Sequence, residues 1–218
     1  MKTTPRVTAS ILCSTFLLLI APVLATGQQF KDVTAKGAPA SLAIQHDRPD
    51  LGPYLAILNT SNKRILAYIA VTKTTDDHGQ LKPCRSRADY VFTSRVLSPQ
   101  EHNPLPCMME PATTGGKVKE VVGALLYVQF EDGTAWGDQA MAKEMLLERP
   151  NRLAFLKRLV ETYYENGEEA FNAKLNDRNL DGPEWLFAML LKGTDIPPIE
   201  VAKKQLAGAQ GWHASGIF

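Results

Sequence analysis

VKEVVGALLYVQFEDGTAWGD, residues 118–138, reads as a long strand, a tight turn and a short return. Val122, Ala124, Leu126, Val128 and Phe130 fall on one face at period two, and Val121, Leu125 and Tyr127 make the other face nearly as apolar. Such a strand is covered on both sides. Glu131-Asp132-Gly133 supplies the turn, since Asp-Gly is a favoured hairpin pair, and Thr134-Ala135-Trp136 returns.

Working outward, the upstream chain continues in the same register. Tyr54 to Leu58 is apolar throughout, Asn59-Thr60-Ser61-Asn62-Lys63 is a turn cluster, and Ile65 to Val71 alternates. The two runs predict a hairpin. Tyr90 to Leu97 reads as a half-solvated strand, and Lys31 to Asp47 supplies one more. Thr72 to Asp89 and Ser98 to Lys117 read as long loops, the second barred from a central strand by Pro99, Pro104, Pro106 and Pro111. Short strands with no helix-length pattern between them predict a mainly antiparallel, immunoglobulin-like β-sandwich over residues 26–137.

After Gly137 the period turns helical. Asp138 caps a helix through Leu147 that Pro150 stops, and Asn151 caps the next, carrying Leu153, Leu156, Val160 and Tyr163. Gly167 ends it. Shorter helices follow over Glu168 to Leu175, Pro183 to Lys192 and Pro198 to Leu206. Residues 138–218 are therefore a C-terminal α-helical region, and the whole is α+β. With no Pro/Ser-rich linker, the helices form a small second domain or dock on one end of the sandwich.

Residues 1–25 read as a signal peptide. Lys2 and Arg6 begin it, Ile11 to Ile20 is apolar, Pro22 breaks the run, and Val23-Leu24-Ala25 precedes cleavage between Ala25 and Thr26. Ile11 to Leu24 is only 14 residues, whereas a membrane span needs ~20. Cys13 follows Leu12 inside the apolar run, which excludes a lipid anchor there. Cleavage leaves no stable membrane span and a chain that is periplasmic or secreted. Cys84 and Cys107 then remain in an oxidising compartment and pair as a disulfide, a closure that stabilises by ~3 kcal/mol in the chain-entropy model.

The chain has 218 residues with 24 Lys plus Arg against 23 Asp plus Glu, 44% hydrophobic. Domains run ~100–200 residues, so there is room for one large domain or two small ones. The balanced charge excludes nucleic acid as the main partner.

The candidate sites are few. Asp177, Asn179 and Asp181 match the start of a calcium loop, D-x-[DN]-x-[DN]-G, but Ala188 stands where a bidentate Glu belongs. A polar turn explains the same residues. His46, His78, His102 and His213 lack the spacing of a helical zinc site. Asp76-Asp77-His78 reads as a solvated turn. Glu131-Asp132 and Glu168-Glu169 fit turn chemistry and a helix start. Thr113 to Lys117 lacks the glycine spacing of a phosphate loop, and no nucleophile motif is present. No catalytic residue, metal site or cofactor is expected from these patterns.

Trp185-Leu186-Phe187-Ala188-Met189-Leu190-Leu191 is apolar all round, so it is buried between layers or binds a partner. The tail with Trp212, Ile217 and Phe218 is a second apolar segment, able to dock on a partner or pin itself to the core.

FEDGTAWGD at 130–138 and LAILNTSNKRILAY at 55–68 resemble uncharacterised exported proteins of soil bacteria, notably acidobacteria. The resemblance implies an exported β-sandwich and brings no catalytic or binding residue with it. The leading expectation is a non-enzymatic interaction or structural module of the cell envelope, contacting another envelope protein through Trp185–Leu191 or the tail. Its rivals are an envelope hydrolase built from loops carrying Asp76, Asp77, His78 and His102, and a calcium-assisted adhesion module.

Overall fold

A computed structural model describes residues 29–47, 54–93, 95–105 and 118–217. The signal segment with Cys13, the Ala25–Thr26 junction, Thr113 to Lys117, Cys107 and Phe218 lie outside the described residues.

The protein is α+β, with two sheets followed by helices. The larger sheet joins β1 (Gln29–Asp32), β7 (Val118–Phe130), β4 (Ile65–Asp76) and β5 (Leu81–Asp89) in that order, with β8 (Ala135–Gly137) added to β7. The smaller sheet joins β2 (Ala40–Gln45), β3 (Tyr54–Asn59) and β6 (His102–Pro104). All these pairings are antiparallel except β1 with β7, which is parallel. Then come α1 (Gln139–Leu175), α2 (Gly182–Lys192) and α3 (Pro198–Ala214).

The inner faces of the two sheets share one core. Leu42, Leu55 and Ile57 from the small sheet meet Leu66, Tyr68, Leu125 and Val128 from the large one. The other face of the large sheet is also covered, by Ala142 and Met145 of α1 packing on Ala67, Ile69 and Tyr127. Two-sided cover of β7 is what its two apolar faces called for. A simple alternation, however, does not sort its residues. Ile69 pairs with Tyr127 and Ala70 with Leu125, so Leu126 is an extra residue. The bulge shifts the pleat by one. Val121 and Leu125 point into the shared core before it, and Val128 and Phe130 do so after it.

Four expectations are corrected here. β3 and β4 are not a hairpin, because they belong to different sheets. Asn59 makes the difference: its buried amide donates to the Lys63 and Leu97 carbonyls, while its Oδ1 accepts from Ser61 N–H and Oγ–H. Those bonds fold the connection into an arch that crosses between sheets. Thr72 to Asp89 is not a loop, since β4 runs to Asp76 and β5 pairs with it along nine positions. β5 ends the sheet order and is mostly solvent-facing, so polar residues such as Lys82, Arg85 and Arg87 conceal it.

Tyr90 to Leu97 is not a strand. Asp89 Oδ1 accepts from Val91 N–H and caps a 3₁₀ turn over Tyr90–Phe92, leaving only a bridge from Leu97 to Ile65. Finally, Pro150 does not stop a helix, for α1 continues through it. A proline inside a helix costs ~3 kcal/mol. Ala142 and Met145 before it and Leu153 and Leu156 after it are all buried, and that packing offsets the cost. Gly167, with φ 82°, does interrupt the helix where the sequence placed the break.

Besides α1 on the sheet face, the helices join the β half through the 3₁₀ turn. Phe92 in the 3₁₀ turn meets Phe187 of α2 edge to face at 5.9 Å, and Phe187 meets Phe155 of α1 at 6.2 Å. One continuous core therefore runs from the sheets through the 3₁₀ turn into all three helices.

Candidate interaction surface

α2 is well specified locally. Asp181 Oδ1 accepts from the Glu184 N–H at 2.9 Å, Pro183 stands in the first turn, and Gly193 follows the last. Glu184 in the first turn and Lys192 in the last both complement the helix dipole.

Its apolar residues divide into two opposed faces. Phe187, Ala188 and Leu191 are buried in the core. Trp185, Leu186, Met189 and Leu190 are each 45–55% exposed, as is Ile196 just beyond the helix at 55%. Positions 185, 186, 189 and 190 share one side at helical spacing, opposite the buried one. Contiguous large apolar side chains on a surface mark contact sites, whereas scattered ones do not.

The helix is fastened to its neighbours behind and at the ends of that face. Arg152 of α1 lays its guanidinium over Phe92 at 4.4 Å and over Phe187 at 4.5 Å, a cation shared by two rings. Burial pushes its pKa down, against the opposing pull of the Asp89 and Glu148 carboxylates. Arg158 pairs with Glu184, and Lys192 donates to Asn176 Oδ1 at 3.1 Å. α2 is thus clamped at both ends.

The tail, as far as it is described, is pinned to the core. Ile217 packs on the core, and its carbonyl accepts from Gln129 Nε2 at 3.4 Å. Trp212 also packs against the core.

The remaining candidates are spread apart. Asp76 Oδ1 accepts from the His78 and Gln80 N–H groups, stapling the turn between β4 and β5. His78 lies 3.7 Å from Asp77 on the exposed side of that turn. His102 is in the other sheet, on β6, with Asp47 and Tyr54 as its neighbours. The loops do not bring the hydrolase set together around one point. Asp177 Oδ1 accepts from Asn179 N–H and Nδ2–H, and Asp181 caps α2, so the calcium-like loop is folded by its own turn bonds. Glu131 pairs with Arg64 and Asp132 with Lys63, tying the arch to the turn after β7. Among the described residues, no three His, Cys, Asp or Glu side chains gather to hold a metal ion. No helix there is long and apolar enough to cross a membrane.

Arg152 and Arg149 were invisible as functional anchors in the sequence. Each looks like a solvated helix charge, and the signal that could have found them is their flanking of Pro150 in a segment whose apolar period never breaks.

No family model, curated protein or solved structure matches the chain.

Proposed function

We propose that this is an exported, non-enzymatic interaction protein of the cell envelope, and that it docks another envelope protein on the outer face of α2. The observation that carries the reading is the exposure of Trp185, Leu186, Met189 and Leu190 on a helix whose opposite side is anchored in the core. Turning the helix to cover them would expose Phe187, Ala188 and Leu191 on the opposite face instead. Aromatic and large aliphatic anchors of this kind dominate binding energy at interfaces.

Export is part of the proposal and rests on the basic, apolar and small-residue order before Thr26. A Cys84–Cys107 disulfide belongs with it, supported by two cysteines left after cleavage. An immunoglobulin-like sandwich is retained for the β half, supported by two sheets sharing a core, with the parallel β1–β7 pair as a departure from the usual pattern.

Crosslinking in envelopes of the native host tests the reading, with a photoreactive residue in place of Leu190. One reproducible protein partner, lost when Leu186 is changed to Asp, is expected. Recovery of an uncrosslinked monomer alone overturns it.

A further inference from the structure

The Asp47, Tyr54 and His102 side chains meet on the small sheet. Tyr54 and Gln45 are the last pair joining β3 to β2, Asp47 lies two residues beyond Gln45, and His102 stands opposite Leu58 on β6. The Tyr54 hydroxyl donates to Asp47 Oδ1 at 2.6 Å and lies 3.0 Å from His102 Nε2. His102 Nε2 in turn lies 3.1 Å from Asp47 Oδ2. Four donor atoms, two of a carboxylate, one phenolic and one imidazole, thus close a small ring.

We propose that this ring is a binding site for ferric iron. An ion held at ~2.0–2.2 Å needs neighbouring ligand atoms at roughly the spacings this ring already has. Three of the four donors are oxygen, and the set combines hard ligands with one imidazole, which suits iron better than a thiolate-seeking metal. Tyr54 is buried at the base of the site, while the Asp47 and His102 side chains are 51% and 30% exposed at its rim. The ion therefore enters from solvent and keeps open positions on that side. Binding replaces the hydroxyl proton of Tyr54 with the metal–oxygen bond and releases that proton to solvent. A phenolate oxygen is a hard, anionic donor, and a trivalent ion is the kind it holds best.

Titration of the full chain with ferric nitrilotriacetate tests this, read by visible absorption and thermal melting. A phenolate-to-iron charge-transfer band and a rise in Tm are expected, because a ligand that binds only the folded state stabilises it. Tyr54→Phe keeps the ring and removes only the hydroxyl; it should abolish the band with the circular dichroism spectrum unchanged. His102→Ala should weaken binding ~10-fold or more. Absence of both band and Tm shift overturns the site, leaving a hydrogen-bonded polar cluster. A band that survives Tyr54→Phe, or a Tm rise with zinc and none with iron, overturns the ferric assignment.

Discussion

Arg149 and Asp89 form a two-pronged ion pair with both side chains almost wholly buried. Arg149 Nε donates to Asp89 Oδ2 at 2.9 Å and Nη2 to Asp89 Oδ1 at 3.1 Å, with a further bond from Nη2 to Gln129 Oε1 at 2.8 Å. The three residues belong to α1, the end of β5 and β7, so one guanidinium fastens the helical region to the larger sheet. Asp89 also caps the 3₁₀ turn that carries Phe92.

Removing one partner of this pair leaves a buried charge without its counterion. Arg149→Met should destabilise by ~3–5 kcal/mol, as should Asp89→Leu. The double substitution should lose much less than the sum of the two. Urea unfolding of the three variants measures the coupling, and simple additivity would count against the pair.

Gly137 joins β8 to the capped start of α1 with φ 92°, and a Cβ there would stand 2.1 Å from the Leu126 carbonyl oxygen. Backbone, unlike a side-chain tip, cannot move aside. Gly137→Ala should therefore destabilise by more than ~1 kcal/mol, the usual scale for alanine at a compatible site with the sign reversed. Thermal melting decides it.

The two faces of α2 should respond oppositely to substitution. Leu190→Ser on the exposed face should change stability by no more than ~0.5 kcal/mol, the range for surface positions. Leu191→Ala, at a fully buried neighbour, should cost ~2–5 kcal/mol. Equal losses at both positions would mean that the outer face is packed in solution.

Asp132 accepts from Lys63 Nζ at 2.7 Å and from Thr134, which pulls its pKa from 3.8 down to about 2. A depressed folded-state pKa contributes stability that is complete above 3.8 and disappears as pH falls through about 2. Asp132→Asn should flatten the acid limb in that window and leave stability near pH 7 less dependent on added salt. Unfolding curves between pH 5 and pH 2 compare the two proteins.

How much was legible varied with how local the cause was. The strand at 118–130, its Asp-Gly turn, the break at Gly167 and the cap at Asp138 all follow from residues within a few positions of each other. The polar strand β5 was not legible, because its partner β4 lies across a turn and its own side chains face water. The exposed apolar face of α2 was half legible: seven apolar residues in a row gave the helix and its unusual surface, but not which side was left uncovered. Asp47, Tyr54 and His102 are far enough apart in sequence that no spacing rule joins them.

By itself, the sequence determined the order of β half then helical half, the position of the long covered strand and the ends of α2, whereas α3 runs on to Ala214, past the expected end at Leu206. These depend on period, caps and turn residues, which act over one or two turns of chain. Only the tertiary structure decided that β3 and β4 part into two sheets, that α1 passes through Pro150, and that Arg149 and Arg152 work from inside. Each of those outcomes is fixed by partners distant in sequence: a buried amide reaching Leu97, apolar contacts on both sides of a proline, a carboxylate and two aromatic rings waiting on other elements. Local preference sets what each segment is able to form, and burial of long-range partners selects among those forms.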